Sequence, residues 1–337
     1  MAKTGVLLIN LGSPDGPDTP SVRRYLREFL FDARVLDIPS LPRWLLVYAI
    51  ISIFRSPKSA RAYQKIWTAQ GSPLVQAGRD LAKRVQEILG EDYHVRIAMR
   101  YGKPAIETEV KALLDSGVET LHALPLYPQY AGASTASSIE ELWRVLSREI
   151  AFPPLKVLGD FYEHPGFIAA FAEVANRHLA FFKPDHILFS YHGLPEHQMQ
   201  SADRSGQHCL RSPDCCSTIT PANRLCYRAQ CFATTFALQK AMGRTMEDSS
   251  LSFQSRLGRA TWIQPYTDQE LPILIKRGVK RLAIMCPAFV ADCLETLEEI
   301  QIRAAEDWQA LGGEALTLVP SLNSEENWCR TVAAMVK

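Results

Sequence analysis

Residues 277–287 read Arg277-Gly-Val-Lys-Arg-Leu-Ala-Ile-Met-Cys-Pro287: a turn, a short apolar run and a proline stop. The run Leu282–Met285 is apolar without alternation, the pattern of a strand covered on both faces in a parallel sheet. A second stretch echoes it. Ser116-Gly-Val-Glu-Thr-Leu-His-Ala-Leu-Pro125 also follows a helical pattern, forms a strand and leads through proline into a loop and another helix. The spacing differs by one residue, and chance similarity of two βα units is the competing explanation. The echo favours two similar α/β halves, divided near Ala151–Pro154 or Gly159–Pro165.

The rest of the chain repeats this alternation. Strands are expected at Gly5–Asn10, Val95–Met99, Thr120–Pro125, Lys156–Leu158, His186–Ser190, Leu251–Gln254, Arg281–Cys286 and Leu316–Val319. Helices are expected at Thr19–Leu30, Leu74–Leu89, Ala105–Ser116, Thr135–Ser147, Gly166–Phe181, Tyr227–Met242, Asp268–Arg277, Cys293–Leu311 and Ser324–Val336. Such an order implies parallel sheets flanked by helices. A chain of 337 residues suits two domains, at about 150 residues each.

Composition excludes several classes. Hydrophobic residues make up 47% and charged residues 22%, ordinary for a globular chain and unlike a disordered one. Lys+Arg number 37 against Asp+Glu 36, so the basic excess that drives non-specific nucleic-acid binding is absent. The longest apolar stretch, Trp44–Phe54, is broken only by Ser52 and falls short of the about 20 residues that span a bilayer. The opening MAKTGVLLIN reads as a strand rather than a signal peptide. The expectation is a cytoplasmic protein whose eight cysteines are reduced thiols or metal ligands.

In open α/β sheets, ligands bind beyond the carboxyl ends of the strands. The loop after the first strand, Leu11-Gly-Ser-Pro-Asp-Gly-Pro-Asp18, has neither GxGxxG nor GxxxxGK[ST], which argues against a nucleotide-dependent enzyme. His192 sits where a strand stops and a Gly-Leu-Pro turn begins. An imidazole, titrating at about 6.5 when unperturbed, suits proton transfer near neutral pH; a histidine that only satisfies the turn backbone is the competing reading. Asp292, Glu295 and Glu299 are spaced by three and four and would share one face of a helix, where like charges repel. A cation or a transferred proton would offset the repulsion; a solvated acidic first turn, favoured by the helix dipole, is the alternative. One imidazole with one carboxylate suits a divalent first-row metal held loosely. There is no HExxH and no thiolate set at these strand ends, which argues against a tight catalytic zinc.

Four blocks, in order along nearly the whole chain, resemble the ferrochelatase family, whose members insert ferrous iron into a porphyrin to make haem. They are Val6–Pro14 (VLLINLGSP), Leu188–Pro195 (LFSYHGLP), Phe253–Gly258 (FQSRLG) with Trp262 and Pro265–Asp268 (PYTD), and Cys286–Glu299 (CPAFVADCLETLEE). The resemblance implies two Rossmann-like, chelatase-type domains with the porphyrin in a cleft between them. The implied division is 1–160, carrying a hydrophobic lip at 38–55; 161–323, carrying a Cys-rich insertion at 196–231; and a C-terminal helix at 324–337 that packs back on the first domain.

The resemblance also assigns residues. His192 and Glu295 become catalytic and metal-binding, His192 as acceptor of the pyrrole protons and Glu295 in metal delivery or as acceptor of a proton, with Asp292 and Glu299 as acidic support. Leu11, Tyr63, Ser72, Arg100, Tyr101 and Trp262 would bind the porphyrin, Arg100 or Ser72 donating to its propionates. Many relatives place a second histidine two residues before the glutamate, where this chain has Cys293, so what orients Glu295 is open. The implied partners are protoporphyrin IX, or coproporphyrin III, with Fe(II) and the haem product. The lip, with its aromatic residues and basic flanks, fits peripheral contact with the inner face of the cytoplasmic membrane; a buried core helix fits its composition as well. A non-catalytic tetrapyrrole or metal carrier of the same fold is the other class, and it would have no need of a base.

Within the insertion, Cys209, Cys215, Cys216, Cys226 and Cys231 fall in 23 residues with spacing C-x5-C-C-x9-C-x4-C, which matches no common zinc or ferredoxin pattern. Some ferrochelatases carry a [2Fe–2S] cluster, in certain bacteria on an internal cysteine segment. The resemblance therefore points to such a cluster on Cys209, Cys216, Cys226 and Cys231, with Cys215 as a substitute. Zinc and unligated thiols are the alternatives.

Overall fold

The computed structural model describes residues 3–256, 258 and 260–337. Leu257 of the FQSRLG block and the first two residues of MAKTGVLLIN lie outside these. The chain divides into two compact units: residues 1–127, 132–160 and 323–337 form one, and residues 128–131 and 161–322 the other.

In the first unit, β1 (Thr4–Ser13) is followed by α1 (Thr19–Phe31), α2 (Ser40–Trp44), a π-helical stretch over Leu45–Ile51, α3 (Ser52–Ile66), α4 (Pro73–Leu89), β2 (Tyr93–Gly102), α5 (Ile106–Asp115), β3 (Thr120–Pro125), a short π-helical turn over Gly132–Ala136, α6 (Ser137–Leu146) and β4 (Leu155–Val157). The strands form one parallel sheet in the order β2-β1-β3-β4. Val6 to Ile9 of the central β1 are fully buried, as an apolar run covered on both faces requires. Leu7 and Ile9 pack with Ala98, Val110, Leu121 and Leu142 under α5 and α6.

The second unit runs α7 (Pro165–Phe182), β5 (His186–His192), α8 (Glu196–Ala202), α9 (Tyr227–Met242), β6 (Ser249–Gln254), α10 (Thr267–Lys276), β7 (Arg281–Met285), a π-helix over Glu295–Ala304, α11 (Ala305–Ala310) and β8 (Ala315–Leu318). Its sheet is again four parallel strands, ordered β6-β5-β7-β8. Leu188, Leu274, Ile284, Ile300 and Trp308 meet in its core. The chain then returns to the first unit as α12 (Glu326–Val336), which packs on α4 and whose Val336 carbonyl lies 2.6 Å from His122 Nδ1.

All eight expected strands form, and the echo of residues 116–125 and 277–287 marks two strands in corresponding places, each second from one edge of its sheet. Three expectations differ. Helical structure fills Ser40–Ile66, and α8 forms at the start of the insertion. The helix expected from Cys293 begins after it, and its first ten residues are a π-helix, with i→i+5 bonding that α-helical spacing rules do not describe. Asp292 therefore precedes the helix rather than sharing a face with Glu295 and Glu299.

Candidate active site

Three elements of the second unit build the site: the end of β5, the end of β6 and the acidic π-helix. β5 stops at His192, whose backbone partner across the ladder is Gln254 on β6. The chain then turns through Gly193, whose N–H donates to the Gln254 carbonyl at 2.8 Å. A Cβ on Gly193 would stand 2.9 Å from that carbonyl and 3.1 Å from the Trp262 ring, so glycine is what allows the turn to close under the histidine.

His192 Nδ1 lies 2.6 Å from the Gly193 carbonyl oxygen. A carbonyl can only accept, so Nδ1 carries the proton and the neutral ring presents its lone pair at Nε2. Trp262 and Phe289 flank the imidazole, each with its ring centre 6.3 Å away. Trp262 is buried, and its indole N–H has no hydrogen-bond partner among the described residues. The result is a half-buried imidazole with an aromatic surround and an available base nitrogen.

Gln254 ties this strand end to the acidic helix. Its side-chain oxygen accepts from Ser190 Oγ at 2.7 Å and from Cys286 Sγ at 3.6 Å. Its amide nitrogen donates to the Glu295 carbonyl at 2.9 Å and to Glu299 Oε2 at 3.4 Å. Ser255 adds its N–H to Glu299 Oε1 at 2.9 Å and its hydroxyl to Oε2 at 2.6 Å. Asp292, ahead of the helix, accepts from Thr296 Oγ1 at 3.1 Å and from the Ser321 N–H at 3.2 Å. Cys293 is buried; desolvation first, and the adjacent Glu295 carboxylate second, push its thiol well above the ordinary cysteine range. A neutral thiol beside Glu295 thus stands where the sequence left the orienting group open.

The fold thus links His192, Glu295 and Glu299 through Gln254, and gives Asp292 a separate place, bonded to the Thr296 hydroxyl and the Ser321 N–H. Among the described residues no three His, Cys, Asp or Glu side chains gather as one metal-ion site. Gln254, Ser255 and Phe289 have parts in this geometry that the sequence reading did not assign. The strand-end rule that singled out His192 points equally to residues 254 and 255, since β6 lies beside β5.

The remaining candidates on the porphyrin side lie in the first unit. Arg100 and Tyr101 belong to a polar knot. Arg100 Nη2 and Tyr101 Oη each donate to Asp32 Oδ2 at 2.7 Å, and Ser137 Oγ donates to the same oxygen at 2.5 Å. Arg100 Nε also donates to Ser137 Oγ at 2.7 Å, and its guanidinium stacks 4.4 Å from the Tyr101 ring centre. Tyr63 is buried edge-on to Tyr25 and Trp67. Ser72 is buried at the start of α4, where its carbonyl accepts from the Gln76 N–H. The Leu11 N–H donates to Asn10 Oδ1 at 2.8 Å.

The segment from Ser40 to Ile66 inverts the usual amphipathic order. As far as Ala60 its inward positions are small or polar, Ser52 and Ser56 being buried beside Val47 and Ala60; Tyr63 and Ile66 are buried beyond them. Ser52 is held by Arg23, which donates to its carbonyl, and by Arg27, which donates to its hydroxyl, both at 3.0 Å. Leu41, Trp44, Leu45, Ile50, Ile53 and Phe54 face outward, Phe54 with 76% of its surface exposed. A buried core helix does not describe this segment. No helix among the described residues is long and apolar enough to cross a membrane.

All five cysteines of the insertion are buried free thiols. Cys215 and Cys216 have sulfurs 3.6 Å apart, and the Cys226 thiol interacts with those of both Cys209 and Cys216. The Cys226 contact, then burial, pushes the Cys216 thiol far above its usual range, and burial does the same to Cys231. The loop is shaped by two polar side chains. Asp203 accepts from the N–H groups of Ser205, His208 and Cys209, and Asn223 donates to the carbonyls of Cys215 and Thr218. The donors are soft, close together and shielded from water, which suits iron–sulfur ligation in chemistry. Cys209, Cys215, Cys216 and Cys226 lie in pairwise contact rather than around one preformed point, and the Cys231 thiol bonds Tyr227.

Comparison with known proteins identifies the family. A ferrochelatase from Coxiella burnetii (strain Dugway 5J108-111) is 48% identical over 335 residues, covering 99% of this chain and 93% of its own. One from Legionella pneumophila (strain Lens) is 44% identical over 334 residues, covering 99% and 98%. Among solved structures, SirB from Bacillus subtilis with Fe3+ superposes with a TM-score of 0.54 at 14% identity, covering 99% of this chain and 96% of that one; at that identity the likeness is one of fold. The family model described as ferrochelatase matches residues 3–337, and the chain belongs to the ferrochelatase family.

Proposed function

We propose that this protein inserts Fe(II) into protoporphyrin IX to form protohaem, with His192 accepting pyrrole protons and Glu295 handing over the metal or taking the second proton. Family membership makes the chain a porphyrin metal chelatase. The observation that supports His192 as the base is its locked tautomer: with Nδ1–H given to the Gly193 carbonyl, only Nε2 can accept a proton. The reaction balances without redox change. Two pyrrole N–H bonds break, four Fe–N bonds form, and two protons leave. A planar macrocycle hides its nitrogen lone pairs, so the bound ring must be bent, with the strain supplied by contacts away from its centre. Trp262 and Phe289 offer aromatic surface beside the imidazole for such contacts. Anaerobic incubation of the protein with Fe(II) or Zn(II) and protoporphyrin IX or coproporphyrin III, followed by absorption, tests the reading. Loss of the free-base spectrum with protoporphyrin IX is expected; metallation of coproporphyrin III alone would replace that substrate, and no metallation of either rejects the function.

The cysteine loop supports a [2Fe–2S] cluster on Cys209, Cys216, Cys226 and Cys231, because that cluster needs four cysteine sulfurs and this loop buries five. When bound, the cluster would supply a one-electron couple and a cross-link through the loop. The buried thiols must lose protons on loading, so assembly should be favoured by rising pH. Freshly purified anaerobic protein should be coloured and contain iron and sulfide; Cys216→Ser should lose the colour and Cys215→Ser keep it. A colourless, iron-free wild type rejects the cluster, and stoichiometric zinc in its place favours the zinc alternative.

The outward apolar face of residues 41–54 supports peripheral contact with a lipid surface, on the inner face of the cytoplasmic membrane. Burying one large side chain contributes about 1.5–3 kcal/mol, so Ile53→Ser with Phe54→Ser should weaken binding to anionic phospholipid vesicles at least tenfold. Equal co-sedimentation of variant and wild type would remove the lipid reading.

A further inference from the structure

We infer that Gln254 and Ser255 are positioning residues which set the register of the acidic π-helix and so fix where Glu295 meets the metal; the inference deepens the chelatase reading and rests on it. Neither side chain is a metal ligand in the proposed reaction. Both stand at the end of β6 beside the base, and both spend their donors on the helix.

The geometry is specific. Ser255 is one of the few non-glycine residues with a positive φ, at 66°, a left-handed conformation that L-residues adopt at a cost. That conformation accompanies the aim of both its N–H and its hydroxyl at the Glu299 carboxylate. With Gln254 Nε2 added, Glu299 accepts three hydrogen bonds from two adjacent residues. Its carboxylate is therefore an anchor rather than an open metal ligand. Gln254 also holds the Glu295 carbonyl, four residues back along the helix. A π-helix is a strained, wide form that persists only where its surroundings hold it. Two fixed points, the Glu295 carbonyl and the Glu299 carboxylate, hold this one at the end that carries Glu295.

The other end of the linkage is the base. Gln254 is paired with His192 across β5 and β6, and its carbonyl takes the Gly193 N–H. Its side-chain oxygen is fixed by Ser190 and Cys286, so the amide cannot flip without placing like groups together. One side chain thus references the acidic helix to the strand end on which the imidazole is mounted. A slip of the helix would move Glu295 and leave His192 in place, which should weaken use of the metal more than binding of the porphyrin.

The test is kinetic, on the full chain, with Zn(II) and protoporphyrin IX as the probes. Ser255→Gly is the primary variant, because glycine adopts the positive φ freely and only the hydroxyl is lost. Its kcat/KM for Zn(II) should fall about tenfold, with the porphyrin KM within twofold of wild type and the thermal midpoint little changed. Glu299→Gln should show the same split. The double variant Ser255→Gly with Glu299→Gln should be no worse than the poorer single, since each removes the same contact. Gln254→Glu, which replaces the donor with a carboxylate facing Glu299, should lower kcat/KM for Zn(II) further, and Gln254→Asn, one methylene shorter but uncharged, should fall between it and wild type. An unchanged Zn(II) dependence in Ser255→Gly, an equal loss for metal and porphyrin, or multiplicative effects in the double variant would overturn the inference while wild-type insertion still upheld the chelatase reading. A wild type that inserts no metal into either porphyrin would overturn both.

Discussion

His192→Ala is expected to lower metal insertion by about a thousandfold while porphyrin binding stays close to wild type. General-base catalysis by a placed side chain contributes typically about 10²–10⁴-fold, and His192 is the base that the proposed reaction needs. Alanine removes Nε2 but leaves Trp262 and Phe289, the aromatic surface beside it. It also removes the hydrogen bond from Nδ1 to the Gly193 carbonyl; a single such bond contributes about 1 kcal/mol, so the fold should survive. Stopped-flow absorption with Zn(II) measures the rate, and quenching of tryptophan fluorescence measures porphyrin affinity. Added imidazole should restore part of the rate, because the lost function is that of a proton acceptor. A variant that turns over at near wild-type speed would remove His192 from the role. A variant with a lost rate and equally lost porphyrin affinity would make it a packing residue instead.

Much of this site is legible in the amino-acid sequence, and the reason is local. A strand buried on both faces of a parallel sheet is largely apolar, so LAIM and ILF announce themselves, and the residues just beyond each strand end are few enough to weigh singly. His192 and the Asp292–Glu299 segment stand out on that ground. The places where the reading falls short are those where a non-local contact decides. Glu299 comes four residues after Glu295, which on an α-helix means a shared face; here a π-helix and the donors of residues 254 and 255 turn its carboxylate toward β6. Nothing in ADCLETLEEI signals i→i+5 bonding. Asp292 has the spacing of a helix residue yet lies ahead of the helix, where the Thr296 hydroxyl and the Ser321 N–H both donate to its carboxylate. The apolar run Trp44–Phe54 has the composition of a core helix, yet only Val47 and Ser52 of it are buried, Ser52 held by two arginines of α1. Composition cannot separate those cases; only the partner across the fold does. Arg100 shows the same dependence on distant contacts: its guanidinium bonds an internal acid 68 residues earlier in the chain, a partner that no local pattern announces.

That internal acid carries the second large effect. Asp32→Ala should cost the first unit about 3 kcal/mol, because removing one partner from a buried pair strands the other. Asp32 takes Arg100, Tyr101 and Ser137 on one oxygen and the Arg34 N–H on the other at 2.7 Å. The Arg100 and Asp32 side chains are 15% and 9% exposed, so solvent cannot replace what is lost. Burial alone would raise the Asp32 pKa; the hydrogen bonds from Ser137, the Arg34 N–H and Tyr101, with the Arg100 charge, overcome it and hold the carboxyl below its ordinary value. A carboxyl with a depressed folded pKa stabilises the fold above its unfolded pKa, and that contribution fades as pH falls through the folded value. The stability gap between wild type and Asp32→Ala should therefore be full at pH 6–7 and close on acidification below about pH 4. At about 2–4 °C per kcal/mol for a unit of this size, the midpoint should drop by roughly 6–12 °C at neutral pH. Arg100→Ala should cost less, since Asp32 keeps three of its four donors. If Arg100 also serves the propionates, that variant will raise the porphyrin KM beyond what its stability explains. Calorimetry of both variants between pH 3 and 7 separates the cases: an Asp32→Ala gap that is small, or that does not shrink with acid, would show that the knot is not what holds this part of the sheet.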